Sequence, residues 1–182
     1  MLRWILARAL SRFETTWSYD ASYLRSVLGV SPVSFLKFSL VSGMAPREAA
    51  PPAAIAAATL VATLAEDCGP CVQIAADQAR ASGVDSATLR AIVTNDPQGM
   101  GPDAALACRF ARATLSRDLE SADEARQEVL LRWGQAGLVA LSLAITAARL
   151  YPTLKYALGH GRSCSRISFG DETPAALREQ IG

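Results

Sequence analysis

Net charge is nearly absent from this chain. Eighteen basic residues face 17 acidic ones, a balance of +1, so no overall field recruits nucleic acid or an anionic surface. Cysteine is scarce as well: Cys68, Cys71, Cys108 and Cys164 are too few and too unevenly spaced for a disulfide scaffold. A chain of 182 residues buries a core without such staples, and a reducing compartment leaves its thiols available for chemistry. The expected location is therefore the cytoplasm. There is no alternating strand pattern, no hairpin dipeptide between apolar runs, no βαβ rhythm and no internal repeat, which leaves an all-α fold. Uncharged runs are short too. Ala49 to Ala65 has 17 residues with Pro51-Pro52 and nine alanines inside it, and Trp133 to Ala148 has 16. Both fall below the ~20 residues a bilayer core demands, so no transmembrane segment is expected. The opening Met1 to Leu10 is interrupted by Arg8 and followed by Arg12 and Glu14, unlike a secretion signal.

What is present is helical periodicity. Leu6, Leu10, Phe13 and Trp17 recur at spacings of four, three and four, with Arg3, Arg8 and Arg12 among them, so residues 3–17 read as an amphipathic helix. It serves either as a packing arm or as a basic membrane-surface helix. Asp20 is placed to start a short helix through Leu28, and Ser31-Pro32 form an N-cap and first turn for another through Val41, stopped by Gly43. Residues 44–52, with three prolines, form the one credible linker. An alanine-rich helix follows over Ala53 to Ala65. Asp85 caps a helix carrying Leu89 and Ile92, and Pro102-Asp103 starts another carrying Leu106, Phe110 and Ala113. Ser121 and Glu124 fit a capping box for a helix ended by Gly134. Gln135 to Leu150 is apolar nearly all round, so it is central or shared between subunits. The expected organisation is a helical extension over 1–45, a compact helical domain over 46–164 and a tail over 165–182, with a short helix after Pro174.

The stretch Glu66-Asp67-Cys68-Gly69-Pro70-Cys71 stands at the head of a helix running to Ser82 and Gly83. Exposed N–H groups and the dipole at a helix start stabilise an anion, so a thiolate pKa there falls from ~8.5 toward ~7. The second cysteine lies close enough to resolve a mixed disulfide or a sulfenic acid on the first, which makes a cycling pair. By position alone the dipole favours Cys68 as the more activated thiol. Cys-Gly-Pro-Cys occurs in thioredoxin after a strand, whereas here it joins two helices. A structural zinc site would need Cys108 and Cys164 to converge on the pair. Cys108, beside Leu106 and Phe110, reads instead as a small core residue. His160, the single histidine, lies in Leu158-Gly-His-Gly-Arg162 and reads as a surface or capping residue, though a loop with Arg162 and Lys155 would cover a pocket.

The helix–EDCGPC–helix arrangement resembles the alkylhydroperoxidase D-like, or carboxymuconolactone decarboxylase-like, superfamily. The resemblance runs from about Pro52 to Leu150, through Ala81 to Asp85, the Leu89 helix and Gly137-Leu138-Val139. It implies a small all-helical domain that assembles into a homo-oligomer and turns over a small peroxide or disulfide with a thiol reductant, without cofactor or metal. It also implies that Cys71 attacks peroxide and Cys68 resolves the sulfenic acid. The family's relay histidine falls on Ala75 and its relay glutamate on the alanines around Ala56. Among the nearby polar residues Glu66, Asp67 and Gln73, Glu66 is the candidate general base. The alternative is an oligomeric helical binding or scaffold protein that keeps the fold without the relay.

Overall fold

The computed structural model describes residues 2–161 and the backbone of residues 166–167 and 175–176. Among these, eight α-helices account for the architecture: α1 (Leu2–Trp17), α2 (Ser22–Val30), α3 (Pro32–Ser39), α4 (Pro52–Leu64), α5 (Gly69–Ala81), α6 (Ser86–Val93), α7 (Gly101–Ser116) and α8 (Leu119–Ala157). The fold is all-α, as the absence of strand patterning implied. In the tail, Arg166–Ile167 and Ala175–Ala176 pair antiparallel over two residues each. The short helix expected after Pro174 otherwise lies outside the described residues, as do Arg162 and Cys164.

Helix α4 is the hub, packed against α5, α6, α7 and α8. Its alanines explain this: Ala54, Ala57, Ala58 and Ala62 are fully buried and let neighbouring backbones approach, while Leu60 supplies bulk. A helix apolar on every face has no solvent side and belongs in the middle. Leu89, Ile92, Leu106, Phe110, Val129 and Leu141 close round it from α6, α7 and α8, in one continuous apolar cluster.

Helices α1 to α3 build a second cluster from Leu10, Tyr19, Tyr23, Leu24, Leu28 and Phe35, against which Ile74 of α5 and Tyr151 and Leu154 of α8 pack. Arg25 ties α2 back to α1 through the Glu14 carboxylate and Ser11. Ser31 caps α3 by accepting from the Ser34 N–H at 3.1 Å, with Pro32 in the first turn. A 3-10 turn over Leu40–Gly43 ends that segment two residues beyond the expected Val41. Asp20 accepts from the Ser22 N–H at 2.9 Å, fixing the start of α2 although Ala21 holds the cap position.

Two features of α8 depart from the sequence expectation, its cap and its end. Asp118 is its cap, accepting from the Ser121 N–H at 3.2 Å, so Ser121 lies inside the first turn and not at the cap. Arg117 ends α7 in the left-handed conformation, leaving no room for a longer link. Gly134 breaks the helix at φ 65°, ψ −169°, the break expected there, but the second half continues past Leu150 and Pro152 to Ala157. Proline costs a helix one hydrogen bond and crowds the preceding turn, and here the buried ring recovers that by packing. By length and composition α8 is apolar enough to cross a bilayer, with an 18-residue stretch of mean hydropathy 1.4. Its Ala140, Leu141, Ala144 and Ile145 are buried in the core described above, while 33% of that stretch as a whole is buried.

Candidate functional site

The α4–α5 turn is held from two sides by α8. Arg149 pairs with the Glu66 carboxylate, and the Tyr156 hydroxyl donates to the Asp67 carbonyl at 2.5 Å. Asp67 itself takes a left-handed backbone conformation, φ 49°, which turns the chain sharply into α5. Cys68 then occupies the cap position and Gly69-Pro70-Cys71 the first turn. Proline at this place loses nothing, because first-turn N–H groups have no partner within the helix.

The two sulfurs lie 2.05 Å apart, at disulfide distance. Cys68 is 3% exposed and Cys71 5%. They face different surroundings. Cys71 lines a partly open cavity of about 390 Å³ between α1, α2 and α3 on one side and α4, α5 and α8 on the other, whereas Cys68 does not reach it. The wall is mainly apolar, and Ala75, one turn after Cys71, also forms part of it.

The polar neighbour of the reactive pair comes from far along the chain. The Tyr19 hydroxyl is 3.8 Å from the Cys71 Sγ. A disulfide sulfur has no hydrogen, so in this state the tyrosine is the donor. The same hydroxyl is placed to donate to the Tyr23 oxygen at 3.5 Å, so its single proton serves one acceptor at a time. Burial pushes the pKa of both phenols up, so both keep their protons through the neutral range. Behind them Lys155 is only 4% exposed, with its ammonium 5.8 Å from the Tyr19 ring centre. Burial lowers its pKa, and the nearby Asp20 carboxylate partly restores it. His160 closes the group, its Nδ1 3.0 Å from the Ser22 hydroxyl and its ring tilted against Tyr23.

The residues singled out from sequence are thus only partly brought together. Cys68 and Cys71 meet. Glu66 is engaged with Arg149 and makes no hydrogen bond to either sulfur among the described residues. The Gln73 amide donates to Asp77 at 3.2 Å. Lys155 belongs to α8 and not to the loop of His160. Cys108 is buried in α7 within the core cluster, where burial pushes its thiol up to about 11, the behaviour of a packing residue. Tyr19, Tyr23 and the cavity have no local sequence signal; the Tyr19–Cys71 contact spans 52 positions. No family model, no curated protein and no solved structure matches this chain.

Proposed function

We propose that this protein is a cytoplasmic, homo-oligomeric thiol oxidoreductase of the alkylhydroperoxidase D-like type, cycling Cys68 and Cys71 between dithiol and disulfide at the expense of a peroxide. One observation carries this above all: Cys71 alone of the pair opens into a cavity, with a proton-bearing hydroxyl 3.8 Å away and its partner thiol within bonding range. This asymmetry favours Cys71 as the attacking sulfur independently of family resemblance, against the preference of the helix dipole for Cys68.

The steps balance as follows. The Cys71 thiolate, its proton already lost to solvent, attacks the terminal peroxide oxygen; the O–O bond breaks and the departing alkoxide takes the Tyr19 proton. Tyr19 is reprotonated through Tyr23 and solvent. Cys68 then attacks the sulfenic sulfur, its proton leaving with the hydroxide as water. Two electrons from an external thiol reductant restore the dithiol. Tyr19 occupies the chemical role that the family gives to the histidine replaced here by Ala75, which makes it a stronger candidate than Glu66 for proton transfer.

The test is peptide mapping after a sulfenic-acid probe. Cys68→Ser should accumulate a trapped sulfenic acid at Cys71, and Cys71→Ser should label nowhere. Recovery of every cysteine as a free thiol after stoichiometric peroxide would rule out redox turnover. The second reading, a helical binding protein, is favoured by Ala75 and the buried alanines around Ala56; unreactive thiols in a folded protein would select it.

A further inference from the structure

The cavity has a chemical polarity that thiol chemistry alone does not use. Its wall is built from side chains such as Leu10, Phe13, Phe35, Phe38, Ile55 and Ile74, and among all the residues lining it the single charged one is Arg47. Arg47 is exposed and has no hydrogen bond or ion pair among the described residues. The hydroxyls nearest it in sequence are committed elsewhere, Ser39 donating to the Phe35 carbonyl at 2.8 Å and Ser42 to the Ser39 carbonyl at 3.0 Å. The site therefore combines a partly open apolar volume, one guanidinium at its surface without a partner among the described residues, and one sulfur in its wall.

We infer that this cavity binds a single-chain amphiphilic carboxylate, with the apolar chain among the phenylalanines and the carboxylate on Arg47, and that the bound chain lies against Cys71. Volume sets the scale of the occupant: about 390 Å³ falls within the range of small-molecule sites. Charge sets the head group. A guanidinium matches one carboxylate through two parallel N–H donors, whereas a phosphate dianion calls for more positive charge than one arginine supplies. The inference deepens the peroxidase reading by making the substrate an acid carrying its hydroperoxide along the chain, yet binding itself rests on the cavity and not on the thiols.

Calorimetric titration of the full chain with decanoate tests it, alongside decanol and decyltrimethylammonium of equal chain length. Decanoate should bind more tightly than either, and Arg47→Gln should weaken it by roughly fivefold, the scale of a solvent-exposed ion pair, while leaving decanol unchanged. In the reduced protein, saturating decanoate should slow iodoacetamide alkylation of Cys71 relative to the same variant without ligand. Ala148→Phe, which adds bulk to the cavity wall, should weaken all three ligands; if that variant does not fold, the exposed Arg47→Gln still decides. Equal affinity for the three ligands, an unchanged decanoate affinity in Arg47→Gln, or no protection of an otherwise alkylatable Cys71 would each overturn the inference. Binding to phosphatidylglycerol vesicles in place of decanoate would overturn it too, in favour of a membrane surface. Decanoate binding by a protein whose thiols ignore peroxide would uphold it and sink the peroxidase reading alone.

Discussion

Tyr19 is the residue on which the proposed chemistry turns, because a thiolate in an apolar wall needs a donor and a departing alkoxide needs a proton. Both needs fall to one hydroxyl 3.8 Å from the Cys71 sulfur. Tyr19→Phe keeps the ring and its packing against Phe13 and removes only that hydroxyl. The expected outcome is a fall of about a hundredfold in the second-order rate of Cys71 oxidation, the usual scale for loss of a positioned acid. The alkylation profile of Cys71 against pH should move upward at the same time, since the thiolate loses its donor. Burial raises the Tyr19 pKa above its ordinary 10.0, with Asp20 and Tyr151 acting the same way, the Tyr23 hydrogen bond opposing them, and the Lys155 ammonium beside the ring. A neutral donor is held below its pKa, so any loss of wild-type activity from tyrosine ionisation should set in at a higher pH than for a free phenol. An unchanged rate and an unchanged profile in Tyr19→Phe would remove the tyrosine from the mechanism. The cysteine pair was legible because its signal is local, two thiols three residues apart at a helix head. Tyr19 was not, since no periodicity or spacing links positions 52 apart. Glu66 shows the converse: its place beside the motif marked it as a base, but Arg149 from α8 claims its carboxylate.

Among the elements, α8 does most to place the site. Its break at Gly134 sets the direction of its second half, and its continuation beyond Pro152 brings Lys155 beneath Tyr19 and Tyr156 onto the Asp67 carbonyl. Gly134 at φ 65°, ψ −169° holds a conformation closed to residues with a Cβ, although nothing lies within 4 Å of where that Cβ would go. The cost of Gly134→Ala is thus purely one of backbone conformation, about 1–3 kcal/mol. Gly43→Ala is its control: it too meets nothing within 4 Å but has no positive φ, and it should be neutral or slightly stabilising. Chemical denaturation of the two variants checks the difference, and equal midpoints would mean that the break at Gly134 is not held against strain. Helix starts were readable wherever a polar cap precedes an apolar run, as at Ser31 and Asp85. At α8 the sequence pattern places the cap at Ser121, but Asp118, three residues earlier, takes it, directly after Arg117 closes α7 in the left-handed conformation. The apolar run ends at Leu150, so the sequence pattern ends the helix there; the structure carries it on past Pro152, whose ring is buried.

For the whole molecule, the alanine-rich composition foretold close helix contacts but not which helix takes the centre. Gln135 to Leu150, apolar nearly all round, reads as central or shared between subunits; in the structure α4 has the centre, and α8 keeps Val139 and Leu150 exposed. An apolar residue that the protomer does not cover points to something outside it. The longest such row is on α3 and the turn after it, where Val33, Leu36 and Leu40 recur at spacings of three and four and stay 57%, 43% and 68% exposed, beside Val30 at 90%. Leu36 also lines the cavity. A second copy packed on this row would bury apolar surface that one chain leaves in water and would meet the cavity lining at Leu36. The expected result is sedimentation at micromolar concentration above the 19.3 kDa of one chain, shifted toward the single-chain value by Val33→Asp combined with Leu40→Asp. Both positions are on the surface, so the double variant should keep its helical content. A wild-type protein that sediments as a single chain would refute self-association altogether. One that stays oligomeric after both substitutions would move the contact to the exposed Leu131 and Val139 of α8.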